Sequence, residues 1–342
     1  MRTGLDEYVN HIGQIIRRER TRLGMSRSRL AEHICSEKHI YLIEKGERSP
    51  SAVLTGLLGD KLSVDLFGFR HYLNGQDPVA VREGVECFRR YRRSKDLAAL
   101  QDATERFRML PDFQTKPWIY EVEINDLYRL AYEKCCYADA VAGILYLLAR
   151  VESRAALIEL RVLLSDCYLQ TGELAKAKAV AERAALLFGE SCESRLGVAV
   201  RCALLSVYWA CGQYRDVVAT GESLMQYQRE HQVFERMHET FFLLALAYFK
   251  TGQFFHACDF FRKGLHSVMV FDRQADMNAI RKMSGFAALL DSAAVDAGLA
   301  AAFKRKYAES GVRGHLAAKN RGIFRSMPGK PDVGFAAVSR IH

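Results

Sequence analysis

Between Trp118 and Met327 the chain contains no proline; its six prolines stand at positions 50, 78, 111, 117, 328 and 331. Proline removes a backbone donor and clashes with the preceding helical turn. So long a stretch without it, rich in Ala, Leu, Glu and Arg, predicts helix throughout. Period-two alternation bounded by turn residues is also missing, which argues against strands. The expected fold class is therefore all-α. No apolar run approaches the roughly eighteen residues that suggest a bilayer span, so no membrane association is expected. The opening MRTGLDEYVNHIGQ has no apolar signal-peptide core, and the expected location is the cytoplasm. Nine cysteines are scattered at 35, 87, 135, 136, 167, 192, 202, 211 and 258, with no Cys-x-x-Cys pair and no Cys/His spacing suited to zinc. They read as thiols of a reducing compartment, and neither a metal nor any other cofactor is expected. Phosphate-cradling glycine loops and Ser-His-Asp arrangements are absent as well, so the chain is not expected to be an enzyme.

What is present is unevenly placed. The 342 residues are 49% hydrophobic, enough for the cores of two or three domains, and the net charge is +9. From Lys304 to His342 nine Lys/Arg face only Glu309 and Asp332; from Gln14 to Arg48 nine Lys/Arg face five Glu. Basic ends around a near-neutral middle suit a nucleic-acid partner.

Residues 12–51 carry three short amphipathic helices joined by tight turns, the layout of a helix-turn-helix. The first is predicted over about 6–23, burying Ile12, Ile15, Ile16 and Leu23, and Gly24 closes it. Ser26 is the expected N-cap of the second, with Leu30, Ala31 and Ile34 inward. After the turn His33-Ile34-Cys35, Ser36 caps a third helix, Glu37 to Lys45, burying Ile40 and Ile43 and stopped by Gly46. Ser49 is the expected cap of a fourth helix, with Pro50 in its first turn. The N-terminal end of the third helix is the end such a motif presents to base edges. That makes Glu37, Lys38, His39 and Tyr41 the candidate base readers: Lys38 can donate to guanine O6/N7 and Glu37 can accept from cytosine N4. Arg27, Arg29, Ser36, Lys45 and Arg48 are the candidate phosphate contacts, which set register without reading sequence. Arg17 and Glu44 are expected to pair between the first and third helices.

Further along, an internal repeat appears. LLSDCYLQTGELAKA (163–177), LLSVYWACGQYRDVV and LLALAYFKTGQFFHA (243–257) align, with Gly172, Gly212 and Gly252 forty residues apart. Tyr168, Tyr208 and Tyr248 keep the same spacing, as do Leu164, Leu204 and Leu244, and Ala177, Val217 and Ala257. Each glycine ends one helix and turns the chain into an antiparallel partner, and the small residue permits close helix approach. Val217 and Gly221 weaken the pattern of the middle repeat. Degenerate hairpins are expected at 79–110, 119–150 and 277–307. The cluster Arg89, Arg90, Arg92 and Arg93 reads as a solvated basic face in preference to a phosphate contact.

The repeat resembles the tetratricopeptide repeat, with a period longer than that family's usual ~34 residues. The head resembles the Cro/repressor-type helix-turn-helix in Ile12-Gly13, Arg17, Arg20, Gly24, Ser26, Leu30-Ala31-Glu32 and the closing Ile43-Glu44-x-Gly46-x-Arg48-x-Pro50-Ser51. Its turn is one residue short, and Ile34-Cys35-Ser36 is similar to the turn of the RRNPP group of peptide-pheromone receptors, whose DNA-binding members join such a head to tetratricopeptide-like repeats. The resemblance implies a five-helix DNA-binding domain over 1–75, connector helices over 76–117, and a right-handed superhelix of repeats over 118–310 for ligand binding and dimerisation. A basic tail, 311–342, lies outside it. It further implies a homodimeric transcription regulator that binds double-stranded DNA and a short signalling peptide. From the repeat register the candidate peptide contacts are Arg129, Asp166, Gln170, Ser206, Trp209, Phe242, Phe249 and Lys250. Asn125 joins them as the sole asparagine between Gly75 and Met277, a departure from that group's asparagine clamps. A second expectation is a constitutive DNA-binding regulator that uses the repeats as a protein-docking scaffold.

Overall fold

The computed structural model describes residues 4–73, 75–189, 193–271, 285–292, 298, 300, 301, 303 and 304, with side chains from residue 11 onward except at 70, 270 and 271. Among them every regular element is helical, and the chain divides into two compact units between Asp126 and Leu127. The basic tail and most of the expected 277–307 hairpin lie outside the described residues.

The first unit starts with the helices α1 (Gly4–Arg22), α2 (Arg27–Ala31), α3 (Glu37–Glu44) and α4 (Ala52–Leu62), followed by a 3-10 turn, Phe67–His71. Ile12, Ile15 and Ile16 recur at helical spacing on α1 and pack with Leu30, Ile40, Ile43, Leu58 and Leu62 into one core. Helices α2, α3 and α4 each begin on a serine whose hydroxyl satisfies an orphan amide. Ser26 accepts from Arg29 N at 3.1 Å, Ser36 from His39 N at 3.2 Å and Ser51 from Leu54 N at 3.2 Å. The cap of α4 is thus Ser51, two residues beyond the expected Ser49, because Pro50 precedes the helix and does not enter its first turn. Gly13 explains the Ile-Gly pair of the head. A Cβ there would stand 2.0 Å from the carbonyl oxygen of Ile43, so only glycine lets α1 cross α3 so closely.

Helices α5 (Pro78–Ser94) and α6 (Leu97–Arg108) form a hairpin in the same unit, closed on a cluster of Phe88, Phe107 and Phe113 with ring centroids 5.5–5.7 Å apart. The arginine cluster on α5 is not wholly a solvated face. Arg92 is buried, donating to Glu121 Oε2 at 2.6 Å and to Asn125 Oδ1 at 2.7 Å on α7 (Ile119–Tyr132). Asn125 donates in turn to Thr104 Oγ1 at 2.9 Å. Burial would raise the Glu121 pKa, but the guanidinium groups of Arg92 and Arg89 hold it below the usual carboxylate range. This network fastens the start of α7 to α5 and α6, and the division of the chain accordingly falls inside α7, past the expected boundary at 117.

The second unit stacks antiparallel hairpins. Helix α8 (Tyr137–Leu148) precedes α9 (Arg154–Thr171) with α10 (Leu174–Leu187), α11 (Ser194–Ala210) with α12 (Tyr214–Glu230), and α13 (Met237–Lys250) with α14 (Phe254–Phe271). A short α15 (Phe286–Leu290) follows. Gly172, Gly212 and Gly252 turn the chain at φ of 79, 71 and 79°. Ala177, Val217 and Ala257 are fully buried. Gly221 does not weaken the middle repeat. A Cβ there would meet Leu244 Cδ2 at 2.6 Å, so its absence lets α13 seat against α12. Two of the repeat tyrosines reach backwards: Tyr208 donates to Glu182 on α10 at 3.5 Å, and Tyr248 to Glu222 on α12. Glu182 and Glu222 are themselves forty residues apart.

Gly13→Ala is expected to destabilise the first unit by roughly 1–3 kcal/mol, because the obstructing atom belongs to the backbone and cannot rotate aside. Urea denaturation followed by circular dichroism checks this, and an unchanged midpoint would contradict the α1–α3 contact.

Candidate nucleic-acid interface

The orientation of α3 rests on one carboxylate. Glu44, at the helix end, is buried and accepts from Arg20 of α1 (Nε to Oε1 2.5 Å, Nη2 to Oε2 3.2 Å) and from Arg27 of α2 (Nε to Oε2 2.7 Å). Arg20 also donates to the Met25 carbonyl at 2.7 Å, within the turn between α1 and α2. Burial raises the Glu44 pKa, but the bonds and charges of Arg20 and Arg27 outweigh it and hold the carboxyl below its ordinary value. The expected Arg17–Glu44 pair is therefore corrected: Arg20, one turn nearer the end of α1, makes the contact. Arg27, expected at a phosphate, is drawn into this clamp and also lies over the Tyr41 ring, its guanidinium carbon 5.4 Å from the centroid.

The outward face of α3 carries the other candidates. Glu37, Lys38 and Tyr41 are exposed, His39 is half-buried, and the backbone amide of His39 is bound by Ser36. Glu37 and Lys38 make no side-chain hydrogen bond or ion pair among the described residues. Ser36 accepts through its oxygen and keeps its own O–H for donation. Arg29 and Arg48 are exposed, and Lys45 pairs with Glu47 at 2.5 Å. An open depression between α2 and the start of α3 is lined by Ser26, Ser28, Arg29, Glu32, Cys35 and Glu37. The shortened turn has a visible solution. His33 takes the left-handed conformation at φ 62°, and the chain then runs directly into the Ser36 cap.

The peptide candidates divide. Phe242 is fully buried against Phe261 and Phe286, and Trp209 is in the same core, 5.2 Å from Tyr214, so neither presents a ring to a ligand. Ser206 donates to the Cys202 carbonyl of its own helix at 3.0 Å. Asp166 is buried and accepts from Tyr132 at 2.5 Å, while Asn125 belongs to the buried Arg92 network of the first unit. These five serve the interior, because repeat register marks which residues are equivalent but not how deep each one lies. Arg129, half-buried and paired with Glu133 at 3.0 Å, keeps surface, as do Gln170, Phe249 and Lys250. The Gln170 Nε2 is itself buried and has no hydrogen-bond partner. No group of three or more His, Cys, Asp or Glu suited to a metal occurs among the described residues, and no described helix is long and apolar enough to cross a membrane.

Glu44→Ala is expected to cost the first unit about 3 kcal/mol at neutral pH, since it leaves Arg20 and Arg27 without their buried partner. A carboxyl held below its ordinary pKa contributes stability that is complete above the unfolded value and lost as pH falls through the folded one. Unfolding measured at neutral pH and near pH ~3 should show the variant gap narrowing in acid; a gap that is constant or widens would contradict the clamp.

No protein-family model matches the sequence, and no curated protein matches it by sequence. Among solved structures, Bacillus thuringiensis PlcR in complex with the peptide PapR7 and DNA is 14% identical, with a TM-score of 0.64 over 80% of this chain and 100% of that one. ComR from S. thermophilus in complex with DNA and its signalling peptide ComS is 16% identical, over 81% of this chain and 99% of that one, with a TM-score of 0.47. The Streptococcus dysgalactiae SHP pheromone receptor Rgg2 is 17% identical, over 79% and 97%, with a TM-score of 0.47. At these identities the likeness concerns fold, and it agrees with the resemblance drawn from the head and the repeats: the chain has the all-helical fold of PlcR, a helix-turn-helix head followed by tetratricopeptide-like hairpins.

Proposed function

We propose that the chain is a sequence-specific DNA-binding regulator whose second unit takes a regulatory ligand, a short peptide, and that it acts as a homodimer without catalysing a reaction. The observation that carries the reading is the exposed, serine-capped N-terminal end of α3, which offers Glu37 and Lys38 with no partner among the described residues to compete for them. The fold shared with a protein solved in complex with peptide and DNA supports it.

Lys38 donates to guanine O6 or N7 and Glu37 accepts from cytosine N4, with His39 and Tyr41 at the edge of the read base pairs. Arg29, Ser36, Lys45 and Arg48 hold phosphates and set the register. Arg27 acts indirectly, through Glu44 and the Tyr41 ring. Two heads of a dimer read half-sites about 34 Å apart or multiples of that. A ligand that favours one spacing of the heads changes DNA affinity without touching α3. In the second unit Arg129, Gln170, Phe249 and Lys250 are the residues available to it, and the unpartnered Gln170 amide suits a peptide carbonyl.

Binding sites selected from a random duplex pool allow the test. Lys38→Ala should relax preference at one base pair and cost roughly 1–3 kcal/mol on the selected site. Arg48→Ala should weaken all sequences alike and flatten the salt dependence by about one counterion. Uniform loss in both variants would overturn the assignment of α3. Titration calorimetry with peptides encoded beside the gene, followed by DNA binding, tests the ligand. DNA affinity and dimer geometry indifferent to every peptide would leave a constitutive regulator with a docking scaffold.

A further inference from the structure

Four arginines stand around the last turn of α10, and none of them pairs with a carboxylate among the described residues. Arg154 of α9 donates through Nε to the Leu187 carbonyl at 2.6 Å. Arg161, also on α9, is half-buried and donates only to Leu157 of its own helix, at 3.0 Å. Arg183 stands exposed on α10, one turn before Leu187, near enough to Arg161 to depress that residue's pKa, after burial, which is the larger cause. Arg201 of α11 is half-buried with its guanidinium carbon 3.9 Å from the Tyr227 ring centroid and 5.5 Å from that of Phe188, and it donates to Gly197 of its own helix at 3.2 Å. None of the four forms an ion pair among the described residues. Elsewhere in the unit Arg129, Arg195, Arg236 and Arg262 form ion pairs, while Arg150, Arg215 and Arg229, which are not gathered at one helix end, form none among the described residues.

The fold alone does not account for this. The carbonyls ending α10 amount to about half a negative charge, against four positive ones. Nor is it a habit of the repeat: Arg161 and Arg201 are equivalent positions forty residues apart, and the next in the series is Phe241. The Tyr227 ring against Arg201 restrains its guanidinium and leaves N–H groups not used by the Gly197 bond for an oxyanion. Beside these charges Leu186 is 79% exposed on α10. A surface that mixes guanidinium groups with an exposed leucine matches carboxylates interleaved with apolar side chains better than it matches a bare phosphate backbone.

We propose that the arginines around the end of α10 form a docking site for an acidic protein segment. A labelled peptide of alternating Glu and Leu, titrated into the full chain, should bind with an affinity that falls as salt rises. Arg161→Gln combined with Arg201→Gln should weaken binding about tenfold or more. Arg183→Glu, on an exposed side chain, should weaken it as well, whereas Arg215→Glu on α12, also exposed and of equal charge change, should leave it within about twofold. Absence of binding by the unaltered chain, or equal loss in the Arg215 variant, would overturn the proposal. So would loss of affinity for random duplex DNA in the Arg161/Arg201 variant with peptide binding intact; that result would assign the arginines to phosphates.

Discussion

The helix-turn-helix head is held by a carboxylate that three helices share. Glu44 ends α3, yet its partners lie on α1 and at the start of α2. A hydrophobic core of isoleucines and leucines supplies most of the free energy here, but such contacts are non-directional and tolerate rotation of a short helix. Two guanidinium groups meeting one carboxylate do not tolerate it, since both the distances and the planes must match. The eight-residue α3 has few contacts of its own with which to define its axis, so the angle at which Glu37, Lys38 and Tyr41 leave the surface depends on a residue at the opposite end of the helix. Gly13 belongs to the same constraint, because the close crossing of α1 and α3 brings Arg20 within reach of Glu44.

Much of this was legible in the chain because it is written in local chemistry. Serine caps, left-handed glycines and helical spacing of isoleucines act within a few residues, and they located α2 and α3 nearly to the residue. The forty-residue period was legible for a similar reason: Gly172, Gly212 and Gly252 each solve the same turn. What escaped was partner choice among several arginines. Arg17 and Arg20 lie within one turn of each other on α1, but Arg17 faces solvent and the crossing with α3 brings Arg20 to Glu44. The Arg92–Glu121–Asn125 network was equally hidden, because its members lie some thirty residues apart and the sequence around Arg92 is that of an exposed basic helix.

The candidate ligand residues show a second limit. Repeat register fixes which side of a helix a residue occupies, whereas burial depends on how many neighbours cover that side. Phe242 and Phe249 differ by seven residues on α13 and so share a face, yet one is sealed by Phe261 and Phe286 while the other is only half covered. Gly221 shows the same limit. Measured against a repeat consensus it is a defect, and measured against Leu244 it is a fit.

The backward-reaching tyrosines bear on how the second unit comes apart. Each joins a hairpin to the one before it through a hydroxyl–carboxylate bond, and burial together with Glu222 pushes the Tyr248 pKa up to about 12, so its proton stays in place under any ordinary condition. In a stack where contacts run mainly between neighbours, stability is a sum of weak units and the strong joints between them. Joints of this kind make it costly for one hairpin to open while the next remains folded. The array then melts as a block instead of fraying hairpin by hairpin, and strain introduced at one hairpin is carried along the stack and not absorbed where it enters.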